Sequence, residues 1–297
     1  MLIPEIDSDL VNKIFVDAYK RVSGVFLIDK PVGVTSHDVV DDVRKVLRTR
    51  KVGHAGALDP FASGVLIILV GKYTKYTEAL INLDKTYVAD VVLGVSTTTQ
   101  DPEGEVINSK DVNAKDEEKL LDQEMMDSLL KEKFQPRYEQ LVPIYSSVKL
   151  DGQKLRKLAR AAEKVEKLER GKVKLHYKSG DEQIIDLPTR EVKIAELELH
   201  STELLDRVQL DKSSLSGKFI NYKIEVTCSK GTYIRQLAED IGYQFDYPSF
   251  LSDLSRTAIS KFSLQNAILV DDLYVQAKSL GILRVDKSEL NLNTEEQ

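Results

Sequence analysis

The run Val65-Leu66-Ile67-Ile68-Leu69-Val70, wholly apolar and rich in β-branched residues, reads as a buried strand. It is led by Gly53-His54-Ala55-Gly56-Ala57-Leu58-Asp59-Pro60-Phe61-Ala62-Ser63-Gly64, where one acidic side chain, Asp59, stands among residues with small side chains or none. Glycines and alanines let a backbone pass close to a ligand, and Pro60 turns Asp59 away from helical geometry. A carboxylate on a tight loop that feeds a rigid strand is held and reachable, as a nucleophile or general base must be. An Asp bonded to its own turn backbone is the plainer reading of the same residues, and at this point both stand.

Around that loop, strands and helices interleave irregularly. Residues 1–22 carry Leu10, Val11, Ile14, Phe15 and Ala18 at helical spacing and predict an N-terminal helical extension. A strand follows over Gly24–Lys30, then a helix with Ser36 as N-cap and Val39, Val40, Val43, Val46 and Leu47 inward. Further helices are predicted over Tyr73–Leu83, Glu117–Phe134, Gln153–Glu169 and Ile234–Tyr243, with strands over Asp84–Leu93, Glu191–Leu199 and Lys218–Thr227. Several strand pairs have short connections. The fold class is therefore α+β, with a mixed, largely antiparallel central sheet flanked by helices. Residues 276–297 read as a short, polar, frayed C-terminal tail.

Composition closes several routes. A single cysteine, Cys228, excludes an intramolecular disulfide framework and a multi-cysteine zinc site, and the four histidines show no ligand spacing, so no metal is expected. There is no Walker A loop, no Gly-x-Ser-x-Gly elbow and no dinucleotide fingerprint. No stretch approaches the length of a membrane span, and acids crowd the N-terminus where a secretory signal is basic, so a cytoplasmic setting is expected. The net charge of −6 argues against a polyanionic partner, yet its distribution does not: Lys149–Lys178 holds eleven Lys/Arg against four Asp/Glu. Charges farther apart than a Debye length of about 8 Å are largely screened, so such a patch can act alone. A solvated helix face is the alternative.

Three more residues stand out. Tyr87 follows Lys85 at the head of a strand, Arg235 lies in the first turn of a helix after Lys230-Gly231-Thr232-Tyr233, and His54 precedes Asp59 on the glycine-rich loop. Singly, each has a structural explanation. Together they could form a site: a guanidinium beside Asp59 keeps it ionised and aimed, an aromatic face takes a flat base, and a side chain on a tight loop wedges into a base stack.

The chain resembles the TruB-type tRNA pseudouridine-55 synthases over about Gly24 to Leu273. The likeness rests on six ordered motifs: the opening Gly24–Ser36 run, the Gly53–Leu66 run, Lys85-x-Tyr87, Pro143-x-Tyr145-Ser146-x-Val148-Lys149-x-x-Gly152, Cys228–Arg235 and Leu254-x-Arg256-Thr257. The resemblance implies a pseudouridine-synthase-like catalytic fold over 23–275, with an RNA-clasping thumb at about 135–180. It makes Asp59 the covalent nucleophile and Arg235 its partner, with Tyr87 stacking on the base and assisting proton transfer. Tyr233 and Leu254 line the uridine pocket and His54 fills the space left by the flipped nucleotide. The implied reaction isomerises uridine-55 in the tRNA T-loop without cofactor or metal; a monomer gripping the T-arm, with no guide RNA and no membrane, is expected. The chain departs from the family pattern in having Leu155-Arg156 where Leu-Tyr is usual, a longer charged connection at 160–185, and too few residues after Val270 for the C-terminal PUA domain of many bacterial members. Another RNA target, a guide-directed complex, an RNA-folding chaperone and a cofactor-free hydrolase are the competing readings.

Overall fold

The computed structural model describes residue 6, residues 8–283 and residues 285–291. In chain order the elements are β1 (Phe15–Val16), β2 (Val22–Lys30), α1 (Ser36–Leu47), β3 (Val52–His54), β4 (Ser63–Val70), α2 (Thr77–Ile81), β5 (Lys85–Leu93), β6 (Val95–Thr97) and β7 (Val106–Ser109). Then come α3 (Ala114–Leu121), α4 (Gln123–Phe134), β8 (Arg137–Leu141), β9 (Lys149–Leu150), β10 (Gln153–Lys154), α5 (Leu155–Ala161), β11 (Lys164–Lys167), β12 (Lys172–His176) and β13 (Glu182–Asp186). The last are β14 (Thr189–Gln209), β15 (Ser214–Cys228), α6 (Ile234–Tyr243), β16 (Ser249–Ile259), β17 (Phe262–Ser263) and α7 (Val270–Ser279). The chain forms two compact units: one runs to Val88 and resumes at Leu254, the other is Ala89–Asp253.

In the first unit the strand order is β1-β2-β4-β16-β5, with β3 also on β4. β1 with β2, β2 with β4, β3 with β4 and β16 with β17 pair antiparallel, whereas β4 and β16 run parallel at Ser63↔Ser255 and Gly64↔Arg256. The continuous apolar run of β4 is explained by burial on both faces. Leu66, Ile68 and Val70 join Val39, Val43 and Leu47 of α1 and Leu273 of α7, while Val65, Ile67 and Leu69 join Leu80 of α2 and Phe262. Each of these side chains contributes roughly 1.5–3 kcal/mol by burial, so β4 is a rigid footing for the loop before it.

The second unit orders its strands β16-β5-β15-β14-β8 and carries two smaller sheets, β6-β7 and β11-β12-β13. Val142, Ile144, Leu155, Ala159, Val173, Leu175 and Ile185 make a separate apolar core under the three-stranded sheet. This mixed, largely antiparallel arrangement with flanking helices is the α+β class expected.

Four elements differ from the expectation. Residues 8–21 do not form a helix: a single 3-10 turn at Ser8–Leu10 leads to β1, which pairs with Val22 and Ser23 of β2. Asn12 stands at φ 58° and its side chain bonds Leu27 N and Asn266 O, while Asp17 accepts from the Tyr19 and Arg21 amides to turn the hairpin. Sheet pairing and two side-chain turns thus override helical spacing; residues 1–5 and 7 lie outside those described. The 117–134 helix is two helices, because Asp122 adopts extended geometry and caps α4 through Met125 N. The 153–169 helix ends at Ala161, since Lys164–Lys167 pairs with Val173–His176 and buries its apolar side in the separate core. Over its described part the 276–297 tail is packed: Leu290 joins the α1–α7 core and Asn291 bonds Asp42.

Candidate active site

The loop carrying Asp59 is braced from several sides. Ala55 N donates to Ile67 O (2.9 Å), and the Leu58 amide and carbonyl both meet the Ser36 hydroxyl (2.8 and 3.0 Å). Ser36 is therefore a brace for this loop; the N-cap of α1 is Thr35, which forms a reciprocal capping box with Asp38. Arg256, only 1% exposed, donates from Nη2 to Gly56 O (3.0 Å), from Nη1 to Ala57 O (3.4 Å) and from Nε to Val65 O (2.8 Å). Ala62 N closes the turn on Asp59 O, and Pro60 O accepts from Gly33 N (2.9 Å) and from the buried Lys30 ammonium (3.3 Å). These bonds hold the loop main chain on both sides of the half-buried Asp59. At Gly64, φ is +107° and a Cβ would lie 2.3 Å from Arg256 O, so only glycine permits β4 to approach β16 here.

The first unit also holds His54, Tyr87 and Leu254. β16 lies between β4 and β5; Leu254 is on β16 and Tyr87 on β5, both buried, and the Thr257 hydroxyl donates to Thr86 O across that strand pair. Lys85 is not an exposed cation: its ammonium is spent on the Ile81 and Leu83 carbonyls, where α2 ends and the chain turns into β5. His54 ends β3 opposite Ile68, and its Nδ1 is buried without a hydrogen-bond partner. Burial, then the positive charge of Arg256 and of His37, hold the His54 imidazole below its usual value, so it is neutral near pH 7.

Tyr233 and Arg235 belong to the second unit. Tyr233 is the N-cap of α6, and Arg235, 8% exposed, lies in its first turn. Arg235 Nη1 donates to Thr99 O (2.9 Å) and pairs with Asp101 Oδ2 (3.3 Å). Asp101 is itself 3% exposed and is held in its turn by Glu103 N and the Thr99 hydroxyl, with Gln100 at φ 66°. A buried carboxylate beside a guanidinium orients both. No motif names Asp101; the three threonines that precede it in Thr97–Asp101 are the signal the sequence offers. Arg256 and Lys30 lie within motifs that give them no role, and Ser36 reads from sequence as a helix cap, because all three act on main-chain carbonyls and amides that no motif names.

The basic run divides in two. Lys167, Arg170, Lys172 and Lys174 are committed to Glu239, Asp240, Glu169 and Glu182. Arg170 also lies over the Tyr243 ring, beside a cleft of about 430 Å³ within the second unit. Arg156, Lys157 and Arg160 of α5, with Lys149 and Lys164, are exposed and make no ion pair among the described residues. Among the described residues no group of three or more His, Cys, Asp or Glu is placed to hold a metal ion.

The TruB family pseudouridylate synthase (N terminal domain) model matches residues 44–179. The tRNA pseudouridine synthase B of Bacillus subtilis (strain 168) is 41% identical over 258 residues, spanning 87% of this chain and 72% of that protein. That of Geobacillus kaustophilus (strain HTA426) is 39% identical over 252 residues, spanning 85% and 76%. Among solved structures, a chain of a Cbf5-Nop10-Gar1 complex superposes with a TM-score of 0.51 at 24% identity, over 85% of this chain and 58% of that one, and supports the fold. With a fold of that class, a main-chain-braced Asp59 loop and relatives at about 40% identity over most of both chains, this chain belongs to the TruB family of pseudouridylate synthases, alongside tRNA pseudouridine synthase B.

Proposed function

We propose that Asp59 is the nucleophile with which this chain, a tRNA pseudouridine synthase, converts uridine-55 of tRNA to pseudouridine. The bracing of residues 55–62 by Arg256, Ser36 and Lys30 carries the reading, because it presents a single carboxylate on an immobile main chain. Asp59 forms a covalent adduct with the target nucleotide, and the bond between uracil N1 and the sugar C1′ breaks. The uracil turns in the pocket, C5 bonds to C1′, the bond to Asp59 breaks and returns the free carboxylate, the C5 proton leaves and N1 takes a proton. Atoms balance and no electrons are exchanged, so the chemistry is an isomerisation and calls for no redox cofactor. Splitting one hard displacement into two, inside a pocket that retains the detached base, is the gain of covalent catalysis here.

In the same reading Arg235, steadied by Asp101, is a catalytic residue, with Tyr87 and Tyr233 as aromatic surface for the base and Leu254 as an apolar wall. A neutral His54 fits the space vacated by an extruded nucleotide, since an imidazole that carries no charge stacks without a desolvation cost. The exposed α5 cations grip T-arm phosphates. The protein acts as a monomer on tRNA without a guide RNA, in the cytoplasm. In an assay of carbodiimide-adduct stops at uridine-55 of a tRNA transcript, Asp59→Asn binds RNA like the wild type and forms no pseudouridine; turnover near the wild-type rate overturns the assignment.

A further inference from the structure

Gln140 is buried at 0% exposure on β8, and no role above requires it. Its carboxamide brackets a single residue: Oε1 accepts from Tyr233 N (2.8 Å) and Nε2 donates to Tyr233 O (3.0 Å). Nε2 also meets the Tyr138 hydroxyl. β8 is fixed in turn by antiparallel pairing with β14, Gln140 lying opposite Arg190. A side chain thus plays the part of a neighbouring strand toward one peptide unit, from an element ninety-three positions away in sequence.

The position of that peptide unit matters. Tyr233 is the N-cap of α6, with extended geometry (φ −101°, ψ 110°) and no side-chain cap of its own. Ser, Thr, Asp and Asn are the residues that cap a helix from within; tyrosine is not, and Gln140 holds the entry instead. Two residues on, Arg235 must deliver its guanidinium to Asp101 and Thr99 O. The Tyr233 ring packs against the separate core that contains Val142, Ile144 and Leu155. A rotation of the Tyr233 main chain would move the ring and the start of α6 together.

We propose that Gln140 is a positioning residue for pseudouridine formation, setting the Tyr233 main chain and through it the placement of Arg235; this rests on the reading of Tyr233 and Arg235 as site residues. It touches neither substrate nor reacting atoms. A misplacement of about 1 Å is enough to cost about 100-fold in rate, so its loss is read in the chemical step rather than in RNA affinity.

The test is single-turnover pseudouridine formation with enzyme in excess over tRNA transcript, alongside tRNA affinity and thermal melting of the full chain. Gln140→Met should lower the rate constant at least about tenfold while the dissociation constant stays within about twofold. Gln140→Glu adds a signature that lost stability alone does not produce. Toward the Tyr233 peptide unit a protonated glutamic acid offers one donor and one acceptor, as the carboxamide does, losing only the second N–H that meets Tyr138, and burial raises its pKa. Its rate relative to wild type should therefore recover as pH falls from about 8 to about 5.5. Tyr222→Phe, which removes a buried hydrogen bond to Leu120 O elsewhere in the same unit, controls for destabilisation and should keep the wild-type rate. A folded Gln140→Met protein with wild-type turnover overturns the proposal, as does a rate loss matched by Tyr222→Phe at equal melting temperature. If Gln140→Met does not fold, a pH-independent Gln140→Glu ratio overturns it. An active Asp59→Asn protein overturns the site reading and the proposal together, whereas an inactive one beside a fully active Gln140→Met refutes the role of Gln140 alone.

Discussion

Replacing Arg256 by lysine keeps a buried positive charge and removes the fork that braces the Asp59 loop. The guanidinium reaches three carbonyls at 2.8, 3.0 and 3.4 Å, on Val65, Gly56 and Ala57. These carbonyls flank the loop from both ends, and a compact ammonium cannot span them. A hydrogen bond to a charged group contributes about 1.5–3 kcal/mol. Losing the two shorter bonds, with part recovered by relaxation, leaves a cost of about 3 kcal/mol. At roughly 2–4 °C per kcal/mol for a chain of this size, the melting temperature should fall by about 6–12 °C. Gly56 and Ala57 are then released beside Asp59, and a nucleophile displaced by about 1 Å loses about 100-fold in rate. Single-turnover kinetics at a temperature where both proteins are folded separates the two effects. Wild-type turnover with a lowered melting temperature would show that Arg256 supports the fold without placing the nucleophile. Wild-type values of both would refute the bracing argument altogether.

Other outcomes are equally specific. Burial pushes the Asp240 carboxyl up to about 6 from 3.8, against the Gln236 hydrogen bond and the Arg170 charge that lower it. Between about pH 4 and pH 6 the folded protein thus keeps a proton that the unfolded chain has lost, so stability falls as pH rises through that window, by at most about 3 kcal/mol. Urea unfolding of wild type and Asp240→Asn at both ends of the window checks this; an equal pH dependence in the variant refutes it. Replacing Arg156, Lys157 and Arg160 together by alanine should weaken tRNA binding and reduce the slope of log affinity against log salt by about 2, whereas Lys172→Ala should leave the slope unchanged. Equal slopes in all three proteins would return α5 to a solvated face. Gly64→Ala should cost more than about 2 kcal/mol by denaturant unfolding, through its positive φ and the clash with Arg256 O; a change below about 0.5 kcal/mol contradicts the close β4–β16 approach.

Local chemistry was legible where it was strong. The β4 run and the α1 pattern announce themselves, since residues buried on a strand or helix carry their own periodicity. The capping of α1 was displaced by one residue, because Thr35 and Ser36 are both good caps and only the structure shows Ser36 bound to Leu58. Residues 8–21 were misread because Leu10, Val11, Ile14 and Phe15 satisfy helical spacing, while the deciding contacts of Asn12 lie at Leu27 and Asn266. At the candidate site, motif spacing singled out Asp59, Tyr87 and Arg235. It was silent on Asp101 and Gln140 and gave Arg256 no role, since their partners are a distant arginine and main-chain groups. Side chains that act on the backbone leave no trace in spacing, because any residue can supply a carbonyl.

The bracing of residues 55–62 has a practical corollary. The bonds from Arg256, Ser36, Lys30 and Gly33 all end on main-chain atoms, so exchanging the side chain at position 59 removes none of them. Those anchors hold whichever side chain position 59 carries. A protein with an unreactive residue at 59 should therefore present tRNA with an unaltered surface, making it a vehicle for trapping the RNA complex before bond breaking.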